Sequence, residues 1–410
     1  MDALDRLLSP PPSADRFAEA MEVLEGLSGP RLQEALERAE AALRSWPDEA
    51  RQAPEATWES IQQGAPPPPW WSLVRHVQLV EGETLDVGPA LAPLTSVDAS
   101  QVDIEPSPLR GAPRLRTLDL SANEEVTNLG FLQGTPHLER LVLSSLELLP
   151  DLSPLGQLPS LHTLNLGFNT ELEDLTPLGA LTALRWLDLS GNERLQDLEP
   201  LGALSGLEVL ILNDCRGVRS LAFLQGLRRL RALYAMRLPH LEDLQPLASL
   251  GLEKLHLGGA GLADGAPLGR CSSLTELVLS GVPRLRDLSF LTALRKLQTL
   301  QLEECEAPLP VLDAPALEVL LLGECSRVTD LGGLTGLQTL RDLSLRDLPV
   351  SDLTPLARLP GLQRLALTGC RLLRDLSPLS ALPLRQLELT DCAPGLDTRP
   401  VPPGCHVVVR

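Results

Sequence analysis

From residue 115 onward the chain repeats Leu-x-x-Leu-x-Leu, with first leucines at Leu115, Leu138, Leu161, Leu184, Leu207, Leu230, Leu252, Leu274, Leu297, Leu317, Leu340, Leu362 and Leu384. The intervals are 23 residues five times, then 22, 22, 23, 20, 23, 22 and 22. A period this regular marks stacked units, each too small to bury its own apolar side and each covered by its neighbours. Within a unit, strand alternation turns the fourth and sixth residues inward and the third, fifth and seventh outward. One short parallel strand per unit is therefore predicted. Weaker copies begin at Val74 (Val77, Leu79) and Leu94 (Val97, Ala99), and another at Cys405 (Val408, Arg410), so the repeats extend over about residues 70–410.

The second half of each unit has its own pattern. Three positions beyond the last leucine stand Asn123, Asn169 and Asn192, where an amide can satisfy backbone groups as the chain leaves the strand. Asp-Leu-Ser-Pro-Leu (151–155, 375–379) or Asp-Leu-Thr-Pro-Leu (174–178, 352–356) follows. Serine or threonine as N-cap and proline as first helical residue predict a short helical turn. Phe131, Phe223 and Phe290 replace that proline as core fillers. The expected fold is a leucine-rich-repeat solenoid, with a curved parallel β-sheet on the concave face and short 3-10 or helical turns on the convex face.

This pattern resembles the bacterial internalin class of leucine-rich repeats, whose units have similar length and an Asp-Leu/Ile-x-Pro-Leu half. The resemblance covers about four fifths of the chain. It implies a protein partner held on the concave strand face. Internalins proper carry a secretion signal and surface-attachment regions. Here the start, Met1-Asp2-Ala3-Leu4-Asp5, is acidic and soon reaches Pro10-Pro11-Pro12 rather than an apolar export core. A cytoplasmic scaffold or regulatory subunit is the expected function; an internalin-like surface adhesin exported by another route is the alternative. The wealth of alanine, proline, glycine and arginine suits a GC-rich bacterial genome.

Charge and candidate chemistry narrow the classes. Lys plus Arg number 35 and Asp plus Glu 54, a net charge of −19 that disfavours nucleic acid and anionic membranes as partners. No apolar run approaches the ~18 residues of a membrane span. Neither a Gly-x-x-x-x-Gly-Lys-Ser/Thr loop nor a Gly-x-Ser-x-Gly elbow occurs, and His76, His137, His162, His240, His256 and His406 fall at unrelated repeat positions. Neither catalysis nor a cofactor or metal is expected. Cys215, Cys305, Cys325, Cys370 and Cys392 occupy the asparagine position and read as buried ladder substitutes, although neighbouring pairs could approach disulfide distance under oxidation. Asp151, Asp174, Asp197, Asp243, Asp287, Asp330 and Asp375 form a file better suited to backbone capping than to calcium, which needs six to eight oxygens from one loop.

Both ends of a solenoid need cover. Residues 1–66 are expected to be an α-helical cap or a small separate module. Ser13 would cap a helix bearing Phe17, Ala20, Met21 and Leu24; a second would bury Leu32, Ala35, Leu36, Ala39, Leu43 and Trp46; a third would run from Glu55 to Gln63. Residues 67–114 are then degenerate first repeats, 115–404 the thirteen clear ones and 405–410 a terminal strand, whose exposed edge offers a possible homodimer contact.

The outward positions supply the candidate site. Most early ones are small or polar, but the middle units carry Trp186, Val209, Ile211, Tyr234, Met236, His256 and Val278. Aromatic and methionine side chains on a face that the fold leaves open mark an interface centre, although strand propensity alone also favours such residues. Asp188, Asn213 and Asp214 on one side, with Glu276 and Glu303 on the other, would form an acidic rim fitting a basic or amphipathic protein partner.

Overall fold

The computed structural model describes residues 3–146, 148, 151–259, 261–393 and 395–410, which divide into two compact units, 1–188 and 189–410. The first holds helices α1 (Ala3–Leu7), α2 (Ala14–Glu25), α3 (Gly29–Ala42) and α4 (Glu55–Gln62). It also holds strands β1 (His76–Gln78), β2 (Ser96–Asp98), β3 (Thr117–Asp119), β4 (Arg140–Val142), β5 (Thr163–Asn165) and β6 (Trp186–Asp188). The second holds β7 (Val209–Ile211), β8 (Ala232–Ala235), β9 (Lys254–Gly258), β10 (Glu276–Ser280) and β11 (Thr299–Glu303). It continues with β12 (Val319–Gly323), β13 (Asp342–Arg346), β14 (Arg364–Thr368), β15 (Gln386–Thr390) and β16 (His406–Val409). Within each unit every strand pairs in parallel with the next in sequence.

The register explains the leucine spacing. Leu118, Leu141, Leu164 and Leu187 stand opposite one another in the first unit, as do Leu210, Leu233, Leu255 and Leu277 in the second, all fully buried. Strands stack ~4.8 Å apart, so each leucine packs on the same leucine one turn away. A 3-10 turn follows most strands, but the interval of 20 residues from Leu297 leaves none between β11 and β12. The terminal strand departs from the spacing proposed for it. Leu387 pairs with Val407 and Leu389 with Val409, so Val408 stands opposite outward Glu388 rather than inward. A slip of one residue exchanges the two faces of a strand, and here it turns Val407 and Val409 to the leucine side.

The turn chemistry also differs from the simple N-cap prediction. Ser153 and Thr176 are the first residues of their 3-10 turns, and their N–H groups donate to Asp151 and Asp174 at 2.9 and 2.8 Å. Asp197, Asp243, Asp287, Asp330 and Asp375 accept in the same way from the residue two positions on. Each aspartate thus starts its turn by a local side-chain to backbone bond. The hydroxyl and N–H of Ser153, of Thr176 and of Ser377 hold Asp151, Asp174 and Asp375 below the usual 3.8. A carboxyl whose pKa is depressed by folding stabilises the fold above its unfolded pKa and loses that contribution as pH falls through the folded value. Melting temperature should therefore fall when pH is lowered from about 5 towards 2. The D151N/D174N/D375N variant should show a smaller fall, measured by circular dichroism.

At the N-terminus, Phe17, Ala20, Met21 and Leu24 are buried, and Ser13 accepts from the Arg16 N–H at 3.3 Å. The chain then extends the sheet layer: the Ala53 N–H donates to the His76 carbonyl at 2.8 Å and the Arg75 N–H to the Arg51 carbonyl at 3.0 Å. Trp58 stacks on Trp71 at 6.0 Å, and the Trp71 indole donates to the Ala90 carbonyl at 2.8 Å. The helices are therefore joined to the first repeats by backbone pairing and aromatic packing within one compact unit. Among the described residues no helix is long and apolar enough to cross a membrane.

Candidate functional site

Within each compact unit the parallel register places the fifth residue of successive repeats in one file on the open face of the strands. In the second unit that file begins Ile211, Tyr234, His256, Val278, Gln301, Leu321. Tyr234 and His256 meet edge to face, with ring centroids 4.7 Å apart and an interplanar angle of 77°. The imidazole Nε2 lies 2.8 Å from Glu276 Oε1, while Lys254 Nζ lies 2.9 Å from Glu276 Oε2. The Lys254 ammonium first, and the His256 ring after it, hold the Glu276 carboxyl below its usual range against the opposing effect of burial. The edge-to-face contact and the hydrogen bond from His256 to Glu276 together fix the Tyr234 and His256 rings, and both are half-buried.

The predicted residues divide by what surrounds them. Val209, Ile211, Tyr234, Met236 and His256 are partly exposed. Met236 lies over Gly258, where a Cβ would come within 3.3 Å of its Cε. Val278 is a correction: at 8% exposure it is buried, enclosed in register between His256 and Gln301, and offers little to a partner. Asn213 is turned to a structural task, its Oδ1 accepting the Met236 N–H at 2.9 Å. Asp214 sits in the left-handed region at φ 61° and pairs with Arg237 through both carboxylate oxygens. Trp186 and Asp188 stand on β6 in the first unit, in register with Thr163 and Asn165, and are half-buried there.

Charge on this face is balanced internally rather than presented as an acidic rim. Arg237 serves Asp214, Lys254 serves Glu276, Arg346 bridges Glu303 and Glu324, and Arg364 pairs with Asp342. Sequence reasoning missed the cations because they lie at third, seventh and eighth positions of different repeats. It also missed Leu321, one leucine among many. Its fifth-position placement is the signal, since that turns it outward beside Ser344 and Ala366, where a hollow of about 210 Å³ opens. Asp342 Oδ1, at the edge of this hollow, is buried without a hydrogen-bond partner among the described residues.

The ladder position is occupied as its chemistry requires. The Asn169 amide donates to the Leu143 and Leu166 carbonyls at 2.8 and 2.9 Å, and its oxygen accepts the Leu146 N–H at 2.9 Å. Cys215, Cys325, Cys370 and Cys392 instead donate one thiol to the Leu189, Leu302, Leu345 and Leu367 carbonyls. Burial pushes the Cys325 and Cys370 thiols up to about 11, so neither is a ready nucleophile. Among the described residues no group of three His, Cys, Asp or Glu is placed to hold a metal.

These features define a leucine-rich-repeat fold: stacked parallel strands, buried leucines, an asparagine or cysteine ladder and 3-10 turns opened by aspartate. The chain is similar in structure to an internalin, InlF, from Listeria monocytogenes, with a TM-score of 0.63, 24% identity and coverage of 76% of this chain and 93% of that one. It is similar too to a Leptospira interrogans LRR protein, with a TM-score of 0.59, 20% identity and coverage of 84% and 93%. The structure of TLR13 in complex with ssRNA13 matches at a TM-score of 0.51 with 19% identity, covering 77% of this chain and 60% of that one. No protein-family model matches the chain, and no curated protein matches it.

Proposed function

We propose that the chain is a non-catalytic interaction scaffold or regulatory subunit that holds a protein partner on its open strand face. The observation that carries this reading is the run Ile211, Tyr234, His256 on adjacent strands, in register, partly exposed and fixed by the Tyr234–His256 contact. Rigid aromatic groups lose little entropy on binding, which is why they dominate interface energetics. Leu321 and the hollow beside Ser344 and Ala366 supply a second apolar contact in the same unit. Trp186 contributes an aromatic group on the face of the first unit. Because the acidic groups are already paired, an amphipathic partner segment suits this face better than a purely basic one.

Cytoplasmic residence belongs to the same proposal, supported by thiols that serve as hydrogen-bond donors and must stay reduced to do so. The test is affinity purification with the full chain from its native host, the Tyr234→Ala/Ile211→Ala variant being run beside it. Loss of a hot-spot aromatic costs about 2 kcal/mol or more, so capture of the principal partner should fall roughly 30-fold with the melting temperature unchanged. Undiminished capture by a folded variant would overturn the assignment.

A further inference from the structure

The repeat spacing shortens by one residue between Leu230 and Leu252, where Leu250-Gly251-Leu252 replaces the four-residue Leu227-Arg228-Arg229-Leu230 of the preceding unit. The backbone shows the consequence. The residue closing the 3-10 turn has ψ of 58° at Leu204, 62° at Leu227, 58° at Cys271 and 64° at Leu294, whereas Leu250 is extended at 150°. The chain thus runs straight from Ser249 towards β9. It omits the small loop that its neighbours close with N–H bonds from Arg228 to the Gly226 carbonyl and from Ser272 to the Arg270 carbonyl, at 3.1 and 2.8 Å.

A loop missing from a stack leaves a notch between the loops on either side. Two hollows open there, both lined by Arg228: one of about 710 Å³ that reaches Gln245, Ser249 and Arg270, and one of about 480 Å³ that reaches Arg229, Gly251 and Ser273. A Cβ added to Gly251 would meet nothing within 4 Å. The notch lies at the edge where 3-10 turns lead into strands, away from the open strand face.

Its charge is opposite to that of the chain. Arg228, Arg229, Arg231 and Arg270 line it against Glu208 and Glu253, in a protein whose net charge is −19. Arg231 is bonded to Glu253, but the exposed side chains of Arg228, Arg229 and Arg270 make no ion pair or hydrogen bond among the described residues. We propose that this notch is a second docking site, which takes an acidic peptide segment of a partner protein.

Guanidinium groups match carboxylates with paired N–H bonds, and the Gln225, Gln245 and Ser249 side chains offer donors and acceptors suited to peptide groups. Arg228 and Arg270 belong to turns two apart, a separation of about 10 Å, which is the length of about three residues of extended chain rather than of one small anion. Glu208 and Glu253 at the rim, and the net charge beyond it, oppose a long polyanion such as nucleic acid.

The experiment uses the full chain and a fluorescein-labelled hexaglutamate peptide, followed by fluorescence anisotropy at low ionic strength. Binding should be saturable, weaken with added salt and fall at least about tenfold in Arg228→Glu/Arg270→Glu. The control Arg358→Glu/Arg371→Glu, which changes the net charge equally at exposed sites elsewhere, should bind as the parent does. A serine inserted after Gly251, restoring the 23-residue spacing, should also lower binding, with circular dichroism confirming that each variant is folded. The Tyr234→Ala/Ile211→Ala chain should bind the peptide normally, so failure of the strand-face assignment would leave this result standing. Absence of binding to the parent, equal loss in the control, or an undiminished signal from folded Arg228→Glu/Arg270→Glu would overturn the proposal. So would displacement of the peptide by equimolar inorganic phosphate, or tighter binding of a single-stranded oligonucleotide.

Discussion

Replacing Asn169 by alanine is expected to destabilise the first unit by about 3 kcal/mol or more, and replacing it by cysteine is expected to cost distinctly less. Asn169 is 1% exposed and satisfies three backbone groups of its own and the preceding turn. Alanine would leave those groups buried without partners, each at a cost of about 1–3 kcal/mol less whatever rearrangement recovers. A thiol preserves one donor bond in a similar volume, as Cys215 does towards the Leu189 carbonyl at 3.0 Å. Urea titrations of the parent, Asn169→Ala and Asn169→Cys chains measure the difference. Equal stability of the two variants would show that the ladder bonds do not hold the turn.

The second large effect is expected at Leu255. It is fully buried on β9 and paired in register with Leu233 and Leu277, so no neighbouring side chain can move in without disturbing its own turn. Leu255→Ala should cost about 2–5 kcal/mol, combining lost apolar transfer with a cavity that relaxes only partly. Because repeats interact chiefly with their neighbours, amide hydrogen exchange should accelerate most in residues 230–280 and least near β15. Uniform acceleration across residues 189–410 would instead mark that unit as one cooperative block.

The particular residues show how far the sequence carried the structure. Spacing alone located the inward leucines, because a parallel stack must bring the same residue of each turn to the same place. It likewise identified the cysteines as ladder substitutes and Tyr234 and His256 as outward neighbours. The same alternation turns Val278 outward, but it gives a direction and not an exposure: His256 and Gln301 on the flanking strands bury it. The acidic rim likewise required knowledge of which cation stands beside which carboxylate, and Arg237 with Asp214 or Arg346 with Glu303 are 23 and 43 residues apart.

The sequence by itself determined the architecture, since a period of 22 or 23 residues with leucines at fixed offsets admits one economical way to bury them. Tertiary structure decided the surface. Whether an outward group is open, paired or covered depends on its partners one turn away, whose side chains are not constrained by the repeat. The single residue missing before Leu252 is visible in the repeat spacing, but only stacking between intact loops turns it into an arginine-lined notch.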